Sequence, residues 1–196
     1  MTMIQKINEV IVEQRNSTIN TENIYIIDYK NINNGVVEVL ENQPEYGCVH
    51  LINENRVNVH YIAFNENALR VDTPEGQVKQ CECVLFPTTL NENDWILFVE
   101  TKYANNHNSA FLGNIDHPNT SIKQIISTVE YFRNNEIIPK DKKVFAIVSF
   151  PKIIEPFSEA FLTRSELTLE EIAINHKILL RPTNKGVIKS PSRIKL

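Results

Sequence analysis

Three residues near the middle of the chain have types and spacing that could do chemistry: Glu82, Glu100 and Lys102. They lie in two apolar runs, Cys81–Pro87 and Trp95–Tyr103, separated by the polar, turn-prone Thr88–Asp94. Short runs rich in β-branched and aromatic residues around such a loop predict a β-hairpin. Side chains on a strand alternate faces. Glu100 and Lys102 therefore share a face with Ile96 and Phe98, and Glu82 shares one with Val84 and Phe86. Folding the hairpin about Asn91 sets Phe86 against Ile96, Val84 against Phe98 and Glu82 against Glu100. Directly opposed like charges destabilise a sheet. A divalent cation between the two acids would remove that repulsion, and Mg²⁺ is held by one or two carboxylates with water and phosphate.

An acid on one strand, with Glu-x-Lys on its partner, resembles the PD-(D/E)XK nuclease superfamily. The resemblance implies that Glu82 and Glu100 hold Mg²⁺ or Mn²⁺, that Thr101 adds its backbone carbonyl, and that Lys102 positions the attacking water. The first acid of that family is usually Asp; here it is Glu, one methylene longer.

The elements that must position these residues follow along the chain. Ile4, Ile7, Val10 and Ile11 recur at helical spacing, so residues 2–14 read as an amphipathic helix capped by Thr2. In the resembled family a helix before the sheet often contributes another Glu. Glu9 or Glu13 could do this; otherwise they form a solvated helix face. Residues 15–22 read as loop. Strands follow at Ile24–Tyr29, Val36–Leu40, Cys48–Ile52 and Val57–Phe64, with a further one at Leu69–Val71. Turn chemistry at Asn33–Gly35, Asn53–Asn55 and Asp72–Gly76 punctuates them. A hairpin about Asn55 would set His50 against His60, but with no acid or thiol beside them both read as ordinary sheet residues. Cys81 and Cys83 are expected on the face opposite Glu82, as small core residues.

After Tyr103 comes a long polar loop carrying His107, Asp116 and His117, candidates for metal or phosphate contact or for solvated loop positions. Ile122, Ile125, Ile126, Val129 and Phe132 then mark a helix over 120–135, capped by Asn119, Thr120 or Ser121. The apolar Lys143–Pro151 reads as a buried strand, and hairpin, helix, buried strand predicts a parallel crossover. In the resembled family a Lys or Gln near the start of this helix lines the site; Lys123 or Gln124 matches. Short helices are expected within Ser158–Leu162 and Thr168–Ile174.

The expected fold is α/β with a mixed α+β sheet: a restriction-endonuclease-like core, helix, β-hairpin, helix, strand, with an added N-terminal β meander. Residues 1–196 read as one domain, with a β-rich elaboration at 24–72, the nuclease-like core at 79–151 and a basic segment at 172–196. After Glu171 the chain has no acid, while Lys177, Arg181, Lys185, Lys189, Arg193 and Lys195 supply six positive charges. The whole chain carries −4, so the remainder carries −10 (−4 − 6). The basic segment could contact phosphates in a sequence-independent manner, or act as a solubilising tail.

Composition is that of a soluble globular protein, 42% hydrophobic and 22% charged. No apolar run reaches membrane-spanning length and no leader pattern opens the chain, which implies a cytoplasmic location and no membrane partner. The reading from the resemblance is a metal-dependent nuclease acting on nucleic acid, with DNA preferred by family analogy. A homodimer or a partner subunit is compatible with it. A nuclease-fold protein that binds nucleic acid or a subunit without cutting is the alternative. In the third reading Glu100 and Lys102 form a surface ion pair and nothing more.

Overall fold

The computed structural model describes residues 2–12, 14–28, 37–65, 68–69, 72–73, 76–77, 80–89, 91–154 and 156–196. Of the expectations above, Glu13, the Asn33–Gly35 turn and Val71 lie outside these residues. The described elements are α1 (Met3–Val10), β1 (Gln14–Ile19), β2 (Asn23–Ile27), β3 (Glu38–Leu40), β4 (Val49–Asn53), β5 (Val59–Phe64), β6 (Asp72–Thr73), β7 (Gly76–Gln77), β8 (Cys83–Pro87) and β9 (Leu97–Thr101). After these come α2 (His107–Phe111), α3 (His117–Asn134), β10 (Val144–Ser149), α4 (Ser158–Arg164), α5 (Leu169–His176), β11 (Ile178–Pro182), β12 (Lys185–Ser190) and β13 (Arg193–Lys195).

The chain is a mixed α and β fold in three layers. A larger sheet runs β1-β5-β8-β9-β10-β11 and a second runs β13-β12-β4-β2-β3. Alternation along the strands of the larger sheet divides its side chains between two cores. Val84, Phe86, Phe98, Ala146 and Val148 face the helices and meet Ile7, Ile122, Ile125, Val129, Phe132 and Phe161. Val59, Cys83, Leu85, Leu97, Val99 and Ile147 face the second sheet and meet Ile24, Ile26, Val49, Leu51, Ile188 and Ile194. A strand buried on both faces reads as a continuous apolar run, which is why Cys83–Pro87 and Leu97–Thr101 look as they do: every residue in both is buried.

The hairpin has the expected register. Val84 lies opposite Phe98, Cys83 opposite Val99 and Leu85 opposite Leu97. The crossover is also as read: β9 and β10 pair in parallel, with Val148 beside Glu100 and Ser149 beside Thr101, and α3 connects them. The ring of Phe132 on α3 packs edge-on to Phe98, centroids 5.3 Å apart, fixing the helix over the sheet.

Several elements differ from expectation. Thr2 caps α1 in a capping box with Gln5, but the helix stops at Val10 and the chain turns extended at Ile11. Residues 14–19, expected as loop, are an edge strand paired antiparallel with β5. Their sequence, Gln-Arg-Asn-Ser-Thr-Ile, lacks apolar alternation because only Ile19 is buried. The polar loop after Tyr103 contains α2, started by an Asn106–Ser109 capping box and anchored by buried Ala110 and Phe111. Helix α3 begins three residues earlier than expected, with Asp116 as its cap. Strand β5 lies between β1 and β8 in the larger sheet, while β2, β3 and β4 belong to the second.

His50 and His60 lie in different sheets. His50 pairs across to Tyr25 and Lys185; His60 pairs to Thr18 and Phe86. Cys81 and Cys83 are both fully buried but in different cores, Cys81 against the helices and Cys83 between the sheets. Regular alternation begins only at Cys83, where β8 starts, and the Cys81 amide turns instead to donate to the Thr128 hydroxyl of α3 at 2.8 Å. Among the described residues no helix is long and apolar enough to cross a membrane.

Candidate active site

The paired register of the hairpin ends with Cys83 opposite Val99. Just before β8, Glu82 donates its amide to the Val99 carbonyl at 3.0 Å, one position off the register that pairs Cys83 with Val99, so the chain bulges at Glu82 and the expected direct pairing with Glu100 is displaced. Glu100 is the last acid of β9 and is 0% exposed. Lys102, one step beyond the strand and on the same face, donates its ammonium to the Glu100 carboxylate. It also donates to Oε1 of Gln124 at 2.8 Å. The Gln124 amide in turn donates to the Gln80 carbonyl at 2.7 Å, just before the hairpin. Thr128, one turn on, hydrogen-bonds the Gln124 carbonyl and accepts from Cys81. One face of α3 is thus stapled to the start of the hairpin, and its Gln124 holds Lys102 over Glu100.

Of the two helix residues put forward for this role, Gln124 is buried at the site and Lys123 is exposed. Neighbouring helix positions are about 100° apart, so both cannot face the sheet. Glu9 is exposed on α1, and the charges that dominate around Glu82 are Glu100, Asp28 and Lys102. Thr101 is buried between Glu100 and Lys102; its side chain alternates to the other face, leaving only its backbone to serve the site.

Asp28 is a site residue that sequence reasoning missed. It follows β2 of the second sheet, is buried, and its carboxyl lies near enough to that of Glu82 to raise it. The Asp28 amide donates to the Tyr103 hydroxyl at 3.3 Å, and that hydroxyl donates to the Gly47 carbonyl at 3.1 Å. Burial drives the Tyr103 hydroxyl well above the ordinary phenol range. A signal for Asp28 existed: Asn-Ile-Tyr-Ile-Ile-Asp is an apolar run ending in an acid, as Leu-Phe-Val-Glu is. The layer that joins the two runs is not readable from either.

The electrostatics follow from this crowding. Burial, then the Glu100 and Asp28 carboxyls, push the Glu82 carboxyl well above the usual range; Lys102 opposes them. The residue as a whole keeps some exposure, but its carboxyl lies deep among acids. His117, the first residue of α3, has its imidazole held below its ordinary value by burial and by Lys102, so it adds no positive charge at neutral pH. Asp116 is spent capping α3 through Asn119, and His107 packs edge-on to Phe111 on α2. Of the three loop candidates only His117 feels the site.

The donors present are hard oxygens, the carboxylates of Glu82 and Glu100 with the Thr101 carbonyl and Asp28 nearby, which suit Mg²⁺ or Mn²⁺. Among the described residues no three His, Cys, Asp or Glu side chains are grouped so as to hold a metal ion between them. A cation here would rest on two carboxylates and a carbonyl.

The basic segment is folded into both sheets. Lys177 caps α5 in a left-handed conformation and Arg181 lies on β11, an edge of the larger sheet. Lys185 and Lys189 lie on β12, and Arg193 and Lys195 on β13, an edge of the second sheet. Comparison with protein-family models, with curated proteins and with solved structures finds no match to this chain.

Proposed function

We propose that the chain is a metal-dependent nuclease that hydrolyses phosphodiester bonds, with DNA as its substrate. The observation that carries the reading is the buried Glu100 carboxylate, near enough to the Glu82 carboxyl to raise it, with the Lys102 ammonium fixed beside it by Gln124. An acid pair with a fixed lysine at the end of two buried strands is a costly arrangement for a purely structural purpose. The order α1, β5, β8, β9, α3, β10 agrees with the helix, three antiparallel-linked strands, helix and parallel strand of the restriction-endonuclease-like core, which supports the same family.

In this reading Glu82, Glu100 and the Thr101 carbonyl hold Mg²⁺ or Mn²⁺, which when bound polarises the scissile phosphate and lowers the pKa of water. Lys102 orients that water and offsets charge developing on the phosphate. Gln124 keeps the ammonium in place.

A second reading has an observation of its own. Burial, with the Glu100 and Asp28 carboxyls, raises the Glu82 carboxyl and favours its protonated form, which suits a site that rests without a cation. That favours a nuclease-fold module that binds nucleic acid without cutting. Supercoiled plasmid incubated with Mg²⁺ or Mn²⁺ separates the two. EDTA-sensitive nicking that is lost in Glu100→Gln supports the nuclease; DNA retention with no nicking in either metal overturns it.

A further inference from the structure

The six cations of the C-terminal segment do not form one surface, and the way the fold divides them singles out a docking face. On β12 the buried Ile188 and Gly186 point toward the larger sheet, so Lys185 and Val187 point outward. On β13 the buried Ile194 points inward, so Arg193 and Lys195 point outward and are exposed. The register sets Lys195 opposite Val187 and Arg193 opposite Ser190. Lys185, Lys195 and Arg193 therefore lie in a row along the outer face of the second sheet. At about 3.3 Å of rise per residue the row is roughly 13–16 Å long.

The other cations are engaged or elsewhere. Lys189 sits at the β-bulge of this pair and its ammonium meets Glu54. Arg56 takes up Glu22 from a neighbouring turn. Lys177 and Arg181 belong to the larger sheet and its helix layer. Beyond Lys185 the same face continues with His50, which pairs with it across the strands and stacks on Tyr25 with ring centroids 4.7 Å apart. This end of the face adjoins the candidate site. Asn184, the residue before β12, binds the hydroxyl of Ser149 and the amide of Phe150, and the Ser149 carbonyl accepts the Lys102 amide.

We infer that the outer face of the second sheet, through Lys185, Lys195 and Arg193, is where the DNA backbone docks, leading it to the strand ends that carry Glu82, Glu100 and Lys102. The inference rests on the nuclease reading for the choice of DNA. A row of three cations on a chain whose other residues carry −7 (−4 − 3) gives a polyanion one favourable direction of approach. Contacts of this kind go to phosphates and are indifferent to base sequence. Each phosphate neutralised contributes about 0.9 to the slope of log affinity against log salt for duplex DNA.

The test is fluorescence anisotropy of labelled duplex DNA with the full chain in EDTA, across a salt series. The triple variant Lys185→Gln, Arg193→Gln, Lys195→Gln is expected to bind about tenfold more weakly and to flatten the salt slope by about 2.7. The pair Lys177→Gln, Arg181→Gln is expected to bind as the wild type. Should the triple variant prove unstable, Lys185→Gln and Lys195→Gln are read singly, each flattening the slope by about 0.9. Wild-type binding by the triple variant, or an equal loss in the control pair, overturns the inference. So does plasmid cutting by the triple variant at the wild-type rate, which leaves the nuclease reading intact. Binding that depends on this face with no cutting in Mg²⁺ or Mn²⁺ sustains the inference and overturns the nuclease reading.

Discussion

The Asp28 carboxyl raises that of Glu82, although one residue follows a strand of the second sheet and the other precedes a strand of the larger sheet. The partner that completes the acid cluster thus comes from the layer that the core hairpin does not contain.

That contact sets a pH dependence. The Glu82 carboxyl is raised in the folded protein, so the folded state binds the proton more tightly than the unfolded chain. The stability this gives is present below the ordinary carboxylate value and is lost as pH rises through the raised one. His50 and His117, held low, act in the opposite sense, so the comparison must be with a variant. Thermal melts in EDTA between about pH 5 and pH 8 should show a steeper loss of stability in wild type than in Glu82→Gln. Parallel curves would show that Glu82 is not protonated in the fold.

Lys102→Met should separate stability, metal binding and rate. Removing one partner of a buried pair leaves Glu100 uncompensated, at a cost of about 3–5 kcal/mol, at the lower end because Lys102 is 18% exposed. Mn²⁺ should restore much of that stability and bind at least as tightly as to wild type, because the ammonium no longer competes for Glu100. Cutting should nevertheless fall by about 10²–10³-fold. Calorimetric Mn²⁺ titration beside plasmid nicking reads all three; weaker Mn²⁺ binding than wild type would count against Glu100 as a ligand.

Gln124→Leu should cost about 1–3 kcal/mol, since the Gln80 carbonyl loses its donor and Lys102 an acceptor. Lys123→Ala, one position away and exposed, should change stability by less than about 0.5 kcal/mol. Urea melts of the two variants check the pair. Equal effects would mean that α3 is not held to the hairpin as described.

Gly47→Ala should disturb the site from outside it. A Cβ there would fall 2.2 Å from the Pro151 carbonyl oxygen and 2.6 Å from its carbon, both backbone atoms that cannot swing aside. The overpacking should cost roughly 1–3 kcal/mol. The Gly47 carbonyl also accepts from Tyr103, whose hydroxyl in turn accepts from the Asp28 amide. The Tyr103 resonances should therefore move in an NMR spectrum; unchanged Tyr103 signals would break that chain of contacts.

The sequence by itself determined what depends on local alternation. Two apolar runs about a polar loop specified a hairpin with its turn at Asn91, and the two-residue period of a strand put Glu100 and Lys102 on one face. The apolar stripe from Ile122 to Phe132 and the run after Lys143 specified the crossover helix and the parallel strand. Only the tertiary structure decided which distant residues join them. Asp28 reaches Glu82 because two sheets stack, and Gln124 rather than Lys123 reaches Lys102 because Phe132 and Thr128 fix the rotation of α3. The polar edge strand β1, the separation of His50 from His60, and the division of the basic residues between two sheets have the same origin. Strand partners and layer order are set by burial summed over the whole chain, and no short stretch of residues carries that sum.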